Sequence, residues 1–390
     1  MTVNLKSFFS TLLFTACLVG FAFGGTAHAF QGKDQIPKLS GEVHISKEDF
    51  TAQSDLVQEK PLNDDSLAYH IRLPKEWQKI DNPVNGIDDN SNILHQISTY
   101  AGPPRIEHRS LLRIRTADAT SLISMNDWFI GYMMQMGFAI EGMTVDSPRR
   151  ITAQYAVFED NEPFIVRAVA TLSGHHIILA EYLVPQNVYQ AERDQQIWAM
   201  TGFDLTSPNL APPVDVKTFS FLNVVKFDYP ANWNFPDPGI RDFNRMDAHI
   251  SNTLSSIPQK YEQKIPDRMG GRIDISVISR TENTQIIPEI NRLNAELTSK
   301  NYKLGKYLGN IKIDPLPSLT QNIRVDSYEL DGLTEELTGY EYWIAVLQTP
   351  DYYVLVQLTT LGRNDNFILW AENTETYKTL IRSLSPATYN

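Results

Sequence analysis

The sequence predicts an α+β fold in two similar domains, each an antiparallel sheet flanked by helices. Three observations carry that expectation. A strand-like run ending in Pro-x-x-Trp occurs twice, as Ala68 to Trp77 (AYHIRLPKEW) and Val224 to Trp233 (VVKFDYPANW). A helical pattern follows each run, and a three-strand meander with a closing helix completes each half. The spacing between matched landmarks also widens along the chain, from Pro74 and Pro230 to the Ser-Pro pairs Ser207-Pro208 and Ser385-Pro386. Loop insertions in a duplicated unit produce that drift.

Residues 1–29 read as a cleavable signal peptide. Ser7 to Gly25 is almost wholly apolar or small, and Ala27-His28-Ala29 is the small-x-small pattern cut by a signal peptidase. The apolar run is near the lower limit for a spanning helix, about 20 residues. The implied destination is the periplasm. No later apolar run approaches membrane-spanning length, so the mature chain is expected to be soluble. Residues 30–65 are polar and poor in periodic signal, which predicts a flexible arm with one early strand at Val43-His44-Ile45. Residues 66–206 and 217–390 form the two domains, and the proline-rich segment 207–216 (SPNLAPPVDV, from Ser207) joins them as a stiff linker.

Within the first domain, Tyr69, Ile71 and Leu73 alternate with His70 and Arg72, the period of a half-buried strand. Val225, Phe227 and Tyr229 repeat the pattern in the second. Proline cannot donate to a sheet ladder, so each strand should end at Pro74 or Pro230. Leu111 to Ala117 and Ile273 to Ser279 are the next period-two segments. The first helix, Ser121 to Phe138, places Leu122, Met125, Trp128, Phe129, Tyr132, Met133 and Met136 at helical steps and meets a stop at Gly137. Its counterpart runs from Pro288 to Tyr302. The meanders follow at Ile151 to Phe158, Phe164 to Leu172 and Ile177 to Val184, then at Ile323 to Leu330, Glu341 to Gln348 and Tyr352 to Leu361. Turns fall at Asp160-Asn161, Ser173-Gly174 and Asp331-Gly332. Closing helices are expected near Val188 to Met200 and Asn366 to Leu384.

This order of elements, with Leu73-Pro74-Lys75-Glu76-Trp77 and Tyr229-Pro230-Ala231-Asn232-Trp233, resembles the Mog1/PsbP-like fold. That group includes the DcrB-like periplasmic proteins and the photosystem extrinsic subunit. The resemblance implies a role in binding or assembly, since the group has no common catalytic site, and it carries no catalytic residue over to this chain.

Composition narrows the functional classes. The formal charge of −12 argues against nucleic acid or anionic lipid as the general partner. Arg105 to Arg115 (RIEHRSLLRIR) is the best candidate for a local basic patch. Cys17 is the sole cysteine and leaves with the leader, which excludes thiol chemistry, disulfides and cysteine metal sites from the mature chain. No nucleophile elbow, phosphate loop or His-Glu-x-x-His stretch is present.

His175-His176 reads as a hydrophilic turn, because adjacent strand residues face opposite sides and cannot easily share an ion. Asp88, Asn90 and Asn92 imitate half of a calcium loop, but Ile93 and Thr99 stand where glycine and glutamate are needed. Asp326, Glu329, Asp331, Glu335 and Glu336 read as the wet rim of a hairpin. No cofactor and no metal are expected.

Ile130 and Met134 fall off the main stripe of the first helix and leave it apolar on a second side, the best sign of a partner-binding surface. The expected function is therefore a non-enzymatic binding or assembly module of the bacterial envelope, with a protein partner, accessory to a transport or secretion complex. The alternative is a hydrolase or small-ligand-binding protein that uses a cleft between the domains, with His108, His175 or the acidic cluster in it.

Overall fold

The computed structural model describes residues 36–80, 94–105, 108–222, 224–236, 238, 244–253, 269–280, 286–299, 301–314, 322–332 and 339–387. The expected signal peptide, the calcium-like stretch at Asp88 to Asn92, and Glu335 and Glu336 lie outside these residues.

The first half does not begin as a bare arm. Ser46 caps a short helix, α1 (Lys47–Ala52), by accepting a hydrogen bond from Asp49 N–H, and Phe50 anchors it in the core at 4% exposure. Strand β1 (Ser54–Glu59) then pairs antiparallel with β2 (Tyr69–Pro74). The expected strand at Val43-His44-Ile45 is absent. Instead His44 and Ile45 N–H donate to Asp194, and Ile36 packs into the first core. Strand β1 is not legible in the sequence because it is an edge strand with little alternation, and Leu56 on it is half exposed.

Strand β2 buries Tyr69, Ile71 and Leu73, as its alternation requires, and ends at Pro74. The main sheet of the first half follows. It comprises β3 (Gln78–Lys79), β4 (His95–Ala101), β5 (Leu111–Asp118), β6 (Ile140–Ser147), β7 (Arg150–Glu159), β8 (Glu162–Ser173) and β9 (His176–Pro185). Their order across the sheet is β3-β4-β5-β9-β8-β7-β6, antiparallel throughout. Helix α2 (Met125–Met136) interrupts it, capped by Ser124 and closed by Gly137 in the left-handed region. Helix α3 (Tyr189–Thr201) follows β9, and β10 (Asp204–Leu205) returns to pair with β2.

Among the described residues the second half repeats this order of elements, without counterparts to α1 and β3. A small sheet is made by β11 (Val216–Phe221), β12 (Val225–Pro230) and, near the chain's end, β19 (Ser385–Pro386). The large sheet contains β13 (Arg245–Thr253), β14 (Met269–Ser279), β15 (Tyr302–Asn310), β16 (Asn322–Gly332), β17 (Tyr340–Gln348) and β18 (Tyr352–Leu361). Its order is β13-β14-β18-β17-β16-β15. Taking β4 with β13 and following the chain, each of these strands has its counterpart at the same place in the other sheet. Helices α4 (Ile286–Ser299) and α5 (Phe367–Ser383) correspond to α2 and α3.

Each large sheet is covered on both faces. In the first half, α2 lies over β7 and β8, while α3 and the small sheet cover the other face. In the second half, α5 and β12 cover one face around Phe227, Trp343 and Tyr377, and α4 covers the other through Leu293 and Leu297. The halves meet where α5 packs against α2: Phe367 and Ala371 belong to the same buried cluster as Trp128, Phe129 and Ile130.

Burial on α2 corrects one expectation. Ile130 has 0% exposure, so it is core and not a partner-facing residue. It belongs to the buried cluster under α2. Met134 remains 44% exposed.

Candidate functional site

The first Pro-x-x-Trp turn helps to line a concave surface. Pro74 ends β2, and Trp77 N–H folds back to donate to Pro74 O at 2.9 Å. The indole of Trp77 then stands edge-on to Tyr182, with ring centroids 4.7 Å apart. Gly102 lies flat against it, close enough that a Cβ there would sit 3.4 Å from the indole. The opposite wall comes from α3, where Glu192 accepts hydrogen bonds from Arg105 and from the Ser110 hydroxyl. The result is a cleft of about 530 Å³ lined by Trp77, Phe50, Lys75, Glu76, Arg105 and Glu192, among others. Beneath Trp77 the Tyr182 hydroxyl is buried with no hydrogen-bond partner among the described residues, and burial pushes its pKa up.

The same turn in the second half is used differently. Trp233 N–H again donates to the proline carbonyl, at 3.0 Å, but the indole is 7% exposed inside the second core. Asn232, within that turn, donates to Thr120 O of the first half at 3.2 Å. One copy of the motif faces outward and the other helps join the halves.

A smaller pocket of about 130 Å³ lies along the joint, lined by Asp118, Thr120, Trp128, Tyr132, Ile368 and Glu372, among others. Trp128 and Tyr132 stack with ring planes 3° apart. Burial raises the pKa of Glu372, against an opposing hydrogen bond from Ser121.

At the edge of this joint the β8–β9 hairpin brings histidines together. Ser173 pairs with His176, so Gly174 and His175 are the two tip residues, with Gly174 at positive φ. His175 is therefore not a strand residue, and the rule that neighbours face opposite ways does not govern it. The two imidazoles lie with centroids 3.9 Å apart. Asp118, at the end of β5, places Oδ1 3.1 Å from His176 Nδ1. Asp64 Oδ2 lies 3.5 Å from His176 Nε2. The Ser66 hydroxyl and backbone N–H both donate to Asp64 Oδ1, at 2.7 and 2.8 Å, and hold its pKa below the ordinary carboxylate value. Among the described residues, Asp118, His175 and His176 can present three ligand atoms within 4.8 Å of one another.

The other candidates do not assemble into a site. His108 packs edge-on against Phe164. Asp326 is tied to Arg324 at 2.6 Å and to the Tyr307 hydroxyl at 3.2 Å on β16 and β15. Three of the four arginines in the basic run are paired: Arg105 with Glu192, Arg113 with Glu159, and Arg115 with Glu181. Among the described residues no helix is long and apolar enough to cross a membrane.

No family model and no curated protein matches the sequence. Solved structures similar to it include cyanobacterial PsbP from Synechocystis sp. PCC 6803. That alignment has 12% identity and a TM-score of 0.29, and covers 39% of this chain and 93% of that one. The Ran-binding protein Mog1p of Saccharomyces cerevisiae aligns at 8% identity and a TM-score of 0.28, covering 40% of this chain and 96% of its own. The type VI secretion immunity protein TplEi of Pseudomonas aeruginosa aligns at 9% identity and a TM-score of 0.21, covering 82% of this chain and 95% of its own. The Mog1/PsbP-like group that the sequence resembles is thus represented among them.

Proposed function

We propose that this chain is a non-enzymatic, exported binding module of the envelope whose first half receives a polypeptide segment of a protein partner in the cleft beside Trp77. The cleft itself carries this reading. Its volume of about 530 Å³ is that of a ligand-sized recess, and its lining mixes an aromatic floor with both signs of charge at the rim. Tryptophan and arginine are residue types that concentrate binding energy at protein interfaces. Lys75, Glu76, Arg105 and Glu192 offer donors and acceptors to a peptide backbone or to side chains of either charge. The matching strand order of the two large sheets supports reading the halves as copies of one unit, with the second copy's turn given over to the joint. The pocket along the joint holds only about 130 Å³. Ordinary small-ligand sites start at roughly 300 Å³, which weighs against the small-ligand alternative.

The experiment is crosslinking and affinity capture of the full-length chain from envelope fractions, comparing wild type with Lys75→Glu and Arg105→Glu. Circular dichroism checks that both variants keep the fold. Loss of the same partners from both variants is expected; undiminished capture would rule the cleft out.

A further inference from the structure

A histidine beside an exposed aspartate is ordinarily a surface ion pair that contributes little. That explanation accounts for Asp118 and His176 but leaves two features over: a second imidazole 3.9 Å from the first, and a second carboxylate on the far nitrogen of His176.

Both features belong together in a metal site. Ligand atoms around a tetrahedral zinc at 2.0–2.1 Å lie roughly 3.3 Å from one another. The 3.1 Å between Asp118 Oδ1 and His176 Nδ1 is already close to that separation. His175 lies exposed, and rotation of its side chain brings the third atom in from within 4.8 Å. A ligating histidine characteristically donates its other ring N–H to a carboxylate, which fixes the ring and its tautomer. Asp64 stands at that nitrogen, itself held by two hydrogen bonds from Ser66.

The backbone of the tip is also anchored. Ala119 N–H donates to His175 O and Gly174 N–H to Asn209 O, each at 2.7 Å, and Asn209 N–H donates to the Ser173 hydroxyl at 2.9 Å. These bonds fix the backbone that carries the two histidines, leaving only side-chain rotation to complete the set.

We propose that Asp118, His175 and His176 bind one late first-row divalent cation, with Zn²⁺ the best fit, and that Asp64 positions His176 for it. Two imidazoles and one carboxylate suit such borderline ions, whereas calcium and magnesium prefer all-oxygen sites. Three protein donors leave the fourth position open to water or to a donor from a partner.

Isothermal titration of the untagged full-length chain with Zn²⁺ tests this. One equivalent per chain is expected to bind in the micromolar range or tighter. His175→Ala, His176→Ala and Asp118→Asn should each abolish that event, with circular dichroism unchanged. Asp64→Asn should weaken binding about 10- to 100-fold, and Asp64→Glu should restore part of it. Absence of stoichiometric binding, or binding that survives in the His175→Ala, His176→Ala double variant, overturns the metal site. Unchanged affinity in Asp64→Asn overturns the positioning role.

Discussion

Glu181 shows how much a single buried carboxylate can hold. It lies on β9 at 6% side-chain exposure, accepts two hydrogen bonds from Arg115, and takes the Tyr155 hydroxyl on its other oxygen. Arg115 also donates to the Tyr132 hydroxyl at 2.9 Å, so this network ties the sheet to α2. Breaking such a pair costs about 3–5 kcal/mol, because the charge left behind has already lost its water. Burial works against the charged form of Glu372. Its pKa in the folded chain is raised above 4.5, chiefly by burial, so folding favours the protonated form. Stability from this group is fully present below 4.5 and is lost as pH rises through the folded pKa. Glu372→Gln should raise the urea midpoint at neutral pH and leave it unchanged well below pH 4.5. A decrease at neutral pH would contradict this.

Among the elements, the α2–α5 contact hangs on Gly131. A Cβ at this position would clash with Ile368 Cδ1 and lie 3.3 Å from Phe367 Cδ1. Alanine gains about 1 kcal/mol of helix propensity, but overpacking costs about 1–3 kcal/mol. Gly131→Ala should lower the melting temperature, and adding Ile368→Val should recover the loss, which a double-mutant cycle in thermal unfolding measures. The elements also show what the sequence discloses. The strands that alternate in burial, β2, β7 and β12, are legible with their prolines and turns, and Asp160-Asn161 indeed forms a two-residue tip with both φ positive. Strands β6 and β15 stay hidden because they are edge strands whose exposed positions carry no period. Strand β13 carries a readable alternation in Met246, Ala248 and Ile250, all buried, in a stretch where no strand is expected. His175 stands in the turn that the sequence predicts, just outside strand β9. Ile130 misleads because helical spacing alone does not show that the flank of α2 beyond its main stripe is buried as well.

For the molecule as a whole, the parallel order of elements is visible in sequence but the joint is not. Which faces of two similar units meet depends on a few positions, such as Gly131 opposite Ile368, that carry no periodic signal. Trp370 on α5 packs against the interiors of both halves, and its indole N–H donates to Glu341 at 2.8 Å. That placement makes it a native optical gauge of whether the halves stay docked. In a denaturant series, the emission owed to Trp370 (wild type minus Trp370→Phe) is expected to shift red before the far-ultraviolet signal of the sheets decays. The joint rests mainly on one helix pair and should be the weaker seam. Coincident transitions would instead make the protein one cooperative block, with that fluorophore reporting on all of it at once.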